Sequence, residues 1–381
     1  MHRVFADENI PGLEKLLAPG THLRRGNGRD LVNDDLAEID ILFVRSVTRV
    51  TRELLAGTPV RFVGSATSGL DHVDLPYLQA QGIGFAHAPG ANANSVVEYL
   101  LCAIAAVEDM LERLLAGGSV GVVGYGHIGR AVQARLQSLG IHNRVYDPWL
   151  ATATLPNPCE SLEELLTCDV IALHPELTDA LPGPSRHLLG AGELAALGTG
   201  QLLVNASRGP VVDNAALSAR LQAGSAPAVV LDVWEGEPVI DPVLLDRVRI
   251  GTAHIAGYSL PGKLMATSML CHAAARATGL VLAAASPEDT TGVLAAGDSL
   301  DGAALVRSLL RATYAIQDDD AALRAALEGA GPQALGERFD RLRRDYPERG
   351  ELKGRSVRCS FRQRPWIEAL GCRPIMTGES G

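Results

Sequence analysis

The first hundred residues alternate short apolar runs with amphipathic stretches. The apolar runs predict strands at residues 3–6, 41–44, 60–63 and 83–86. Helical spacing is found between them, at residues 9–17, 51–56 and 75–81. This alternation is typical of a parallel sheet with helices on both faces. Such sheets bind ligands beyond the carboxyl ends of their strands. Two segments that follow predicted strands are polar here, residues 45–48 and the hydroxyl-rich loop 64–69. For the loop, two interpretations remain open: a binding site for a substrate carboxylate, or an ordinary turn.

A strand, a tight turn and a helix are predicted over residues 120–139. The sequence from 120 to 130 is VGVVGYGHIGR, with glycines at 124, 126 and 129. In dinucleotide-binding folds the first such glycine permits the turn, the second lets the backbone approach the pyrophosphate, and the third lets the helix pack on the strand. The helix N-terminus offers further N–H groups to phosphates. A glycine-rich turn of some other α/β protein is the alternative for the motif taken alone.

Asp147 directly follows the next predicted strand, residues 143–146. A carboxylate at this point accepts hydrogen bonds from the adenosine ribose hydroxyls and repels a 2′-phosphate, which favours NAD over NADP. We interpret His127, inside the motif, as a solvated residue at the start of the helix rather than as a catalyst.

The stretch from Asn94 to Leu115 predicts one long helix that crosses from the first sheet to the second. Ser95 and Glu98 have the spacing of a capping box. We therefore place a domain boundary near this helix, with residues 1–98 in the first domain and the dinucleotide-binding domain at 99–259.

Polar side chains follow the strands predicted in the second domain, at residues 169–173, 200–205, 229–233 and 249–253. Arg208, Glu237 and His254 each come shortly after one of these strands. Because parallel strands share one carboxyl edge, these side chains are candidates to converge beside the cofactor.

Transfer of a hydride from a hydroxy acid to nicotinamide needs a base, a cation for the carboxylate and a group that orients the base. Histidine suits the first role because it titrates near neutral pH. Arginine suits the second because its guanidinium binds a carboxylate in bidentate fashion. Glu237 suits the third. A core histidine at position 254 and a surface ion pair at Arg208 are the structural alternatives.

The chain beyond residue 259 predicts two further parts. One helix from 260 to 280 is expected to pack back onto the first domain, which would then consist of residues 1–98 and 260–285. Residues 286–360 predict amphipathic helices at 303–314, 320–327 and 332–346 without a catalytic motif, and 361–381 is a tail without trusted periodicity. The run Arg338, Arg341, Arg343 and Arg344 is interpreted as a solvated helix face, with phosphate contact as the alternative.

Composition narrows the class of protein. A hydrophobic content of 47% with 20% charged residues fits a globular protein. The net charge of −10 argues against nucleic-acid binding through a broad basic surface. The six cysteines form no C-x-x-C pair and no metal-type spacing, so no metal is expected and a reducing cytoplasm is indicated. Neither a signal peptide nor a membrane span is expected.

Four motifs together resemble the D-isomer-specific 2-hydroxyacid dehydrogenase family: GYGHIG, VNASRGPVVDNAAL, VVLDVWEGEP and TAHIAGY. Other stretches are similar to the branch of that family that oxidises 4-phospho-D-erythronate at C2 in pyridoxal phosphate biosynthesis. They are VRSVTRV, VGSATSGLDHVD, APGANANSVVEY and IGTAHIAGYSLPGK. The stretches YAIQDDDAALR and FDRLRRDYPERGELKGR resemble the extra dimerisation domain of that branch.

The resemblance implies two doubly wound parallel-sheet domains of Rossmann or flavodoxin-like type with a cleft between them, and a C-terminal α+β dimerisation domain at 286–360. It implies a cytoplasmic homodimer that uses NAD to convert the phosphorylated acid to 3-hydroxy-2-oxo-4-phosphooxybutanoate. It assigns catalysis to Arg208, Glu237 and His254, with His254 as acid and base. Implied cofactor residues are Gly124, Gly126, His127, Ile128, Gly129, Asp147, Ala206, Ser207, Arg208, Asp232 and Gly257. Implied substrate residues are Ser46, Thr67 and Tyr258. An arginine expected after Lys263 is missing, and if that arginine holds the substrate phosphate in relatives, then Lys263, Arg45 or another cation must replace it here.

The chain departs from the family pattern in three places. His174-Pro175-Glu176-Leu177 stands where relatives usually have His-Thr-Pro-Leu, Leu264-Met265-Ala266 replaces an expected arginine after Lys263, and the connector 116–119 is short. The missing arginine keeps open a second hypothesis, another D-2-hydroxyacid dehydrogenase that acts on phosphoglycerate or an unphosphorylated acid. A third hypothesis, an NAD(H)-sensing binding protein on the same fold, does not explain why arginine, glutamate and histidine are all present.

Overall fold

The computed structural model describes residues 2–67, 69–283 and 292–377. The chain forms two compact units, both discontinuous in sequence. One unit comprises Met1–Asn92 and Ser259–Thr290, and the other comprises Ala93–Tyr258 and Thr291–Gly381. Among the described residues, no helix combines the length and the apolar character needed to cross a bilayer.

The first unit is built on a parallel sheet with the strand order β2-β1-β3-β4-β5. Its strands are β1 (Arg3–Asp7), β2 (His22–Gly26), β3 (Ile41–Val44), β4 (Phe62–Ser65) and β5 (Gly84–His87). Its helices are α1 (Leu13–Leu16), α2 (Arg52–Leu55), α3 (Leu75–Ala80) and α11 (Leu260–Thr278). Strand β2, with the sequence HLRRG, was not predicted because it lies at the sheet edge and has no apolar run.

The helix α11 returns the chain to the first unit and packs against β4 and β5. The Ser259 hydroxyl accepts a hydrogen bond from the Gly262 amide, which caps the start of the helix. Gly279, with φ of 75°, ends it in the left-handed conformation that glycine adopts at low cost. The buried residues of the first unit form a core on each face of its sheet.

The second unit contains a parallel sheet with the strand order β11-β10-β9-β8-β6-β7. Its strands are β6 (Ser119–Val123), β7 (His142–Tyr146), β8 (Val170–Leu173), β9 (Leu202–Asn205), β10 (Ala228–Leu231) and β11 (Ile250–Gly251). Its helices up to this point in the chain are α4 (Ala93–Ala106), α5 (Met110–Leu115), α6 (His127–Ser138), α7 (Leu162–Leu165), α8 (Ala191–Ala196), α9 (Asn214–Gln222) and α10 (Pro242–Arg247). The strand order reverses at β6, and the glycine turn follows this strand, where α/β sheets bind ligands. The doubly wound fold expected from the sequence is confirmed.

The prediction of one helix over 94–115 is wrong in two respects. Glu108, with φ of 35°, separates α4 from α5. The capping box is also absent, because α4 begins at Ala93 and places Ser95 and Glu98 inside it. The Ser95 hydroxyl donates to the Ala256 carbonyl instead, and the Glu98 carboxylate accepts from the backbone amides of Leu352 and Lys353. Both side chains therefore serve tertiary contacts that local spacing does not reveal.

The C-terminal part of the second unit consists of helices around a small parallel sheet with the order β12-β13-β14. Its elements are β12 (Leu294–Ala295), α12 (Gly302–Thr313), α13 (Ile316–Leu327), α14 (Pro332–Arg344), β13 (Ser356–Cys359), α15 (Arg364–Ala369) and β14 (Arg373–Met376). Buried residues of α12, including Leu305 and Leu309, share one core with α4 and with strands of the larger sheet. The sequence predicted a tail without secondary structure from residue 361, and this prediction is wrong. The elements α15 and β14 form there, because Ile367 and Leu370 join this core. Of this stretch, only residues 378–381 lie outside the described part.

Candidate active site

The glycine turn has a geometry that suits a dinucleotide. Gly124 has φ of 87°, in the left-handed region, and a Cβ atom there would lie 2.8 Å from the Pro175 nitrogen. A Cβ atom on Gly129 would lie 1.9 Å from the Gly124 carbonyl oxygen, so the helix α6 packs on the turn only because this residue is glycine. A Cβ atom on Gly126 would meet nothing within 4 Å. The backbone at Gly126 is therefore open to a pyrophosphate, beside the exposed His127 and half-buried Ile128 at the start of α6.

Asp147 lies at the mouth of this turn. Its Oδ2 atom accepts a hydrogen bond of 2.7 Å from the Tyr125 amide, and its Oδ1 atom accepts one of 2.9 Å from the Trp149 amide. The carboxylate is only half buried and each oxygen retains further acceptor capacity, so it is able to receive ribose hydroxyls. These residues together fit NAD.

His254 and Glu237 form a direct pair. The distance between His254 Nδ1 and Glu237 Oε2 is 2.7 Å, and Glu237 Oε1 accepts a bond of 2.7 Å from the Trp234 amide. Burial alone would raise the pKa of Glu237, but the charge and hydrogen bond of His254, the Trp234 amide and the charge of Arg343 together lower it. Glu237 is thus held as a carboxylate that accepts from Nδ1.

A buried aspartate fixes the loop that carries His254. Asp232 is 1% exposed, and its Oδ1 atom accepts from the Ile255 amide and the Thr252 hydroxyl, each at 2.7 Å. Its Oδ2 atom accepts from the Ala256 amide at 2.9 Å. His254 itself has φ of 56°, a conformation that is costly for a residue with a side chain and persists only when its surroundings impose it. The contact of Asp232 with the cofactor stays a prediction, whereas its role in this loop is visible.

Arg208 follows β9, the neighbour of β10, which in turn neighbours β11. A Cβ atom on Gly209 would lie 2.0 Å from the Trp234 carbonyl oxygen, so the loop of Arg208 runs directly against the loop of Glu237. Sheet order and this close approach place Arg208, Glu237 and His254 at one edge of the sheet. The Arg208 side chain is half buried and donates to the Ser207 carbonyl at 2.8 Å.

The remaining predicted residues are divided between the two units. Ala206 and Ser207 are buried, the Ser207 hydroxyl donates to Asn205 Oδ1, and Gly257 and Tyr258 continue the loop of His254. Arg45, Ser46 and Thr67 belong to the first unit. Arg45 lies 4.0 Å from Asp7, Ser46 is exposed, and Thr67 bonds to the Ser65 hydroxyl and the Gly69 carbonyl. Ser68 of the predicted hydroxyl-rich loop lies outside the described residues. The assignments of all these residues to cofactor or substrate stay predictions.

Two arginines of the C-terminal segment reach this site although sequence reasoning did not place them there. Arg349 is 7% exposed and donates to the Ala256 carbonyl at 2.6 Å and to the Ser95 hydroxyl. Arg343 donates to the Tyr258 hydroxyl at 3.3 Å, so the interpretation of its arginine run as a solvated face is wrong at this position. The sequence contains a pattern that indicates this position. Arg343 follows Leu335 and Phe339 at intervals of four residues and therefore lies on the buried face of α14.

Comparison with known proteins agrees with this geometry. Residues 103–256 match the family model described as D-isomer specific 2-hydroxyacid dehydrogenase, NAD binding domain, and residues 287–371 match a domain of unknown function. An erythronate-4-phosphate dehydrogenase of Marinobacter nauticus is 45% identical over 94% of this chain and 97% of its own length. The enzyme of the same name from Pseudomonas aeruginosa PAO1 is 44% identical over 93% of this chain and 94% of its own.

The chain belongs to the erythronate-4-phosphate dehydrogenase family. The resemblance to D-isomer-specific 2-hydroxyacid dehydrogenases is thereby confirmed.

Two solved structures with the same fold are shorter than this member of the erythronate-4-phosphate dehydrogenase family. A protein of Thermus thermophilus has a TM-score of 0.61 at 25% identity and covers 73% of this chain and 97% of its own. The Aquifex aeolicus D-lactate dehydrogenase, solved with NAD and lactic acid, has a TM-score of 0.56 at 24% identity and covers 73% of this chain and 96% of its own. About a quarter of this chain thus has no counterpart in either, a share close to the length of the segment beyond residue 286.

Proposed function

We propose that this protein oxidises 4-phospho-D-erythronate at C2 with NAD, giving (R)-3-hydroxy-2-oxo-4-phosphooxybutanoate in pyridoxal 5′-phosphate biosynthesis. The observation that carries the proposal is the contact of 2.7 Å between His254 Nδ1 and Glu237 Oε2. The pair lies at the carboxyl ends of the parallel strands, where Arg208 and the glycine turn also lie. Relatives with the corresponding name match more than nine-tenths of the chain, which supports the same substrate.

His254 acts as the base. A carboxylate only accepts hydrogen bonds, so the proton of the neutral imidazole lies on Nδ1, toward Glu237, and Nε2 presents its lone pair. Nε2 takes the proton of the C2 hydroxyl while the hydride leaves C2, and Glu237 stabilises the imidazolium that forms. Bound NAD supplies the hydride acceptor at its nicotinamide ring. In the reverse direction the protonated His254 returns the proton to the C2 oxygen.

Arg208 provides the positive charge for the substrate carboxylate. A guanidinium matches a carboxylate with two parallel N–H groups and also polarises the neighbouring C2 oxygen. Its loop is anchored by Asn205, whose side-chain nitrogen donates to the Arg208 carbonyl at 3.0 Å. The orientation of the acid relative to His254 would follow from this contact.

The residues that would hold NAD are those of the glycine turn and Asp147. The open backbone at Gly126 and the first amides of α6 would face the pyrophosphate, and Asp147 would bind the adenosine ribose. Its negative charge disfavours the 2′-phosphate of NADP.

We further propose that the protein is a homodimer in the cytoplasm. The strand β14 lies at the edge of its sheet and exposes Ile375 and Met376, at 41% and 43%. Phe361, two residues after β13, is 74% exposed. Exposed apolar groups on an unpaired strand edge favour pairing with a second copy. The six cysteines are free and buried, which suits a reducing compartment.

A panel of hydroxy acids tests the function. Absorbance of reduced nicotinamide would be followed with 4-phospho-D-erythronate, D-erythronate, 3-phospho-D-glycerate and D-lactate, each with NAD and with NADP. We expect the highest kcat/KM for 4-phospho-D-erythronate with NAD, and a 2-oxo product detectable by hydrazone formation. A higher kcat/KM for phosphoglycerate or lactate would contradict the proposal, and NADH binding without turnover of any acid would favour the sensing hypothesis.

A further inference from the structure

Helix α14 brings an arginine from the C-terminal segment to the pair of His254 and Glu237. Arg343 Nη2 donates to the Tyr258 hydroxyl at 3.3 Å, and its guanidinium carbon lies 6.0 Å from the centre of the Tyr258 ring. Tyr258 is four residues beyond His254 on the same loop. The charge of Arg343 is also among those that lower the pKa of Glu237, which places the guanidinium within electrostatic reach of the catalytic carboxylate.

The hydrogen-bonding capacity of Arg343 is mostly unused by the described protein. Its side chain is 21% exposed, and its Nη1 atom lies 3.9 Å from Asp340 Oδ1, which is longer than a hydrogen bond. The Nε atom is buried without a hydrogen-bond partner among the described residues. Because a guanidinium has five N–H donors, several of them remain available to a ligand.

The chemistry of these donors favours an anion. A buried N–H group without a partner is costly, and a planar guanidinium is satisfied best by an oxyanion that accepts two bonds at once. The Tyr258 hydroxyl beside it offers a further polar contact to the same oxyanion. Asp340 and Glu237 oppose an anion here, but the Glu237 carboxylate is already engaged in hydrogen bonds with His254 and with the Trp234 amide.

We propose that Arg343 binds the phosphate at the far end of the substrate and so determines the specificity for a phosphorylated hydroxy acid. This inference rests on the proposed function, in which Arg208 holds the carboxylate at the other end of the same molecule. It assigns to the C-terminal segment a role in substrate recognition besides dimerisation. It also provides the cation that the chain lacks after Lys263.

The test compares two substrates in three variants. Arg343→Gln removes the charge, and Arg343→Lys keeps it without the planar fork. Arg344→Gln is the matched control, because Arg344 is the neighbour of Arg343 on α14, has a side chain that is 55% exposed and, among the described residues, pairs with Asp345 alone. For Arg343→Gln we expect kcat/KM for 4-phospho-D-erythronate to fall about 100-fold through KM, as loss of a charged hydrogen-bonded pair implies. The decrease in kcat/KM should be much smaller for D-erythronate, which has no phosphate for Arg343 to bind, and Arg343→Lys should recover part of the loss for the phosphorylated acid.

Inorganic phosphate serves as an independent probe. It should inhibit the wild-type enzyme competitively against 4-phospho-D-erythronate, and this inhibition should weaken in Arg343→Gln but not in Arg344→Gln. Equal losses for the phosphorylated and unphosphorylated acids would show that Arg343 only positions Tyr258 or Glu237, and would overturn the inference. Failure of the wild-type enzyme to prefer the phosphorylated acid would instead overturn the proposed function. If the wild-type enzyme prefers the phosphorylated acid and Arg343→Gln keeps this preference, the proposed function stands and the role of Arg343 is refuted.

Discussion

His254 Nδ1 lies 2.7 Å from Glu237 Oε2, although the two residues follow different strands of the sheet. Both members of the pair are held in place. Glu237 accepts a hydrogen bond from the Trp234 amide, and Asp232 accepts hydrogen bonds from the backbone of the loop that carries His254. This relationship connects the fold to the chemistry, since a histidine whose tautomer is set by a carboxylate is able to take a proton at Nε2.

Replacing His254 by alanine should lower kcat by about 10²- to 10⁴-fold, because the proton acceptor is lost. The NAD affinity should stay unchanged, since the imidazole acts on the substrate. Steady-state kinetics and titration calorimetry measure the two quantities. His142→Ala, at an exposed histidine of β7, is the control and should retain full activity. A His254→Ala enzyme with wild-type kcat would refute its role as the base.

The charge of Asp147 should determine the choice of cofactor. Asp147→Asn removes the charge but retains an oxygen for the Tyr125 amide, which Asp147 binds at 2.7 Å. We expect the ratio of kcat/KM for NAD to that for NADP to fall by about tenfold, equivalent to about 1.4 kcal/mol. Asp147→Ala should also lower this ratio, but it should weaken the binding of both cofactors, because the turn loses the hydrogen bond from the Tyr125 amide to Asp147. An unchanged ratio in both variants would contradict the ribose assignment.

Asp232 should be required for the position of His254. In Asp232→Asn one side-chain NH₂ replaces an acceptor oxygen, so the Ala256 or Ile255 amide faces a donor and stays unsatisfied, at a cost of about 1–3 kcal/mol. We expect a matching decrease in the free energy of unfolding in urea, together with a lower kcat. Loss of stability with an unaltered kcat would mean that the loop keeps His254 in place without this carboxylate.

The stability of the protein should depend on pH through His174. This histidine is 7% exposed, both of its ring nitrogens lack partners among the described residues, and burial lowers its pKa to about 4. The unfolded chain binds a proton near the ordinary histidine pKa of about 6.5. Its contribution to stability is therefore complete above that pH and is lost as the pH falls toward 4, by about 3 kcal/mol.

His174→Phe keeps an aromatic ring at this position and removes the titration. Urea unfolding between pH 7 and pH 4.5 should show a smaller decrease in stability for this variant than for the wild-type protein. Parallel stability curves for the two proteins over this interval would show that His174 is hydrated or partnered in solution.

The exposed edge of β14 should carry the dimer contact. Ile375→Asp is expected to shift the protein toward monomer in sedimentation velocity, because an aspartate at an apolar interface is costly to desolvate. Val32→Asp, at a more exposed valine of the first unit, is the control and should leave the mass unchanged. If Ile375→Asp stays fully dimeric at low micromolar concentration, the interface lies elsewhere.

Local patterns in the sequence were sufficient for much of this architecture. Apolar runs that alternate with helical spacing predict buried parallel strands, and VGVVGYGHIGR predicts the turn whose Gly124 and Gly129 have no room for a side chain. The positions of Arg208, Glu237 and His254 after successive strands also follow from the sequence, because the sheet is parallel and its strands end at one edge.

Tertiary structure decided what spacing along the chain does not encode. Ser95 and Glu98 have the pattern of a cap but bond to residues far along the chain, because a hydroxyl or carboxylate binds whichever donor or acceptor folding brings to it. The polar edge strand β2 and the elements beyond residue 360 have no apolar pattern strong enough to predict them. Arg343 and Arg349 resemble surface charges in the sequence, and only the packing of the C-terminal segment brings them into contact with the loop that carries His254.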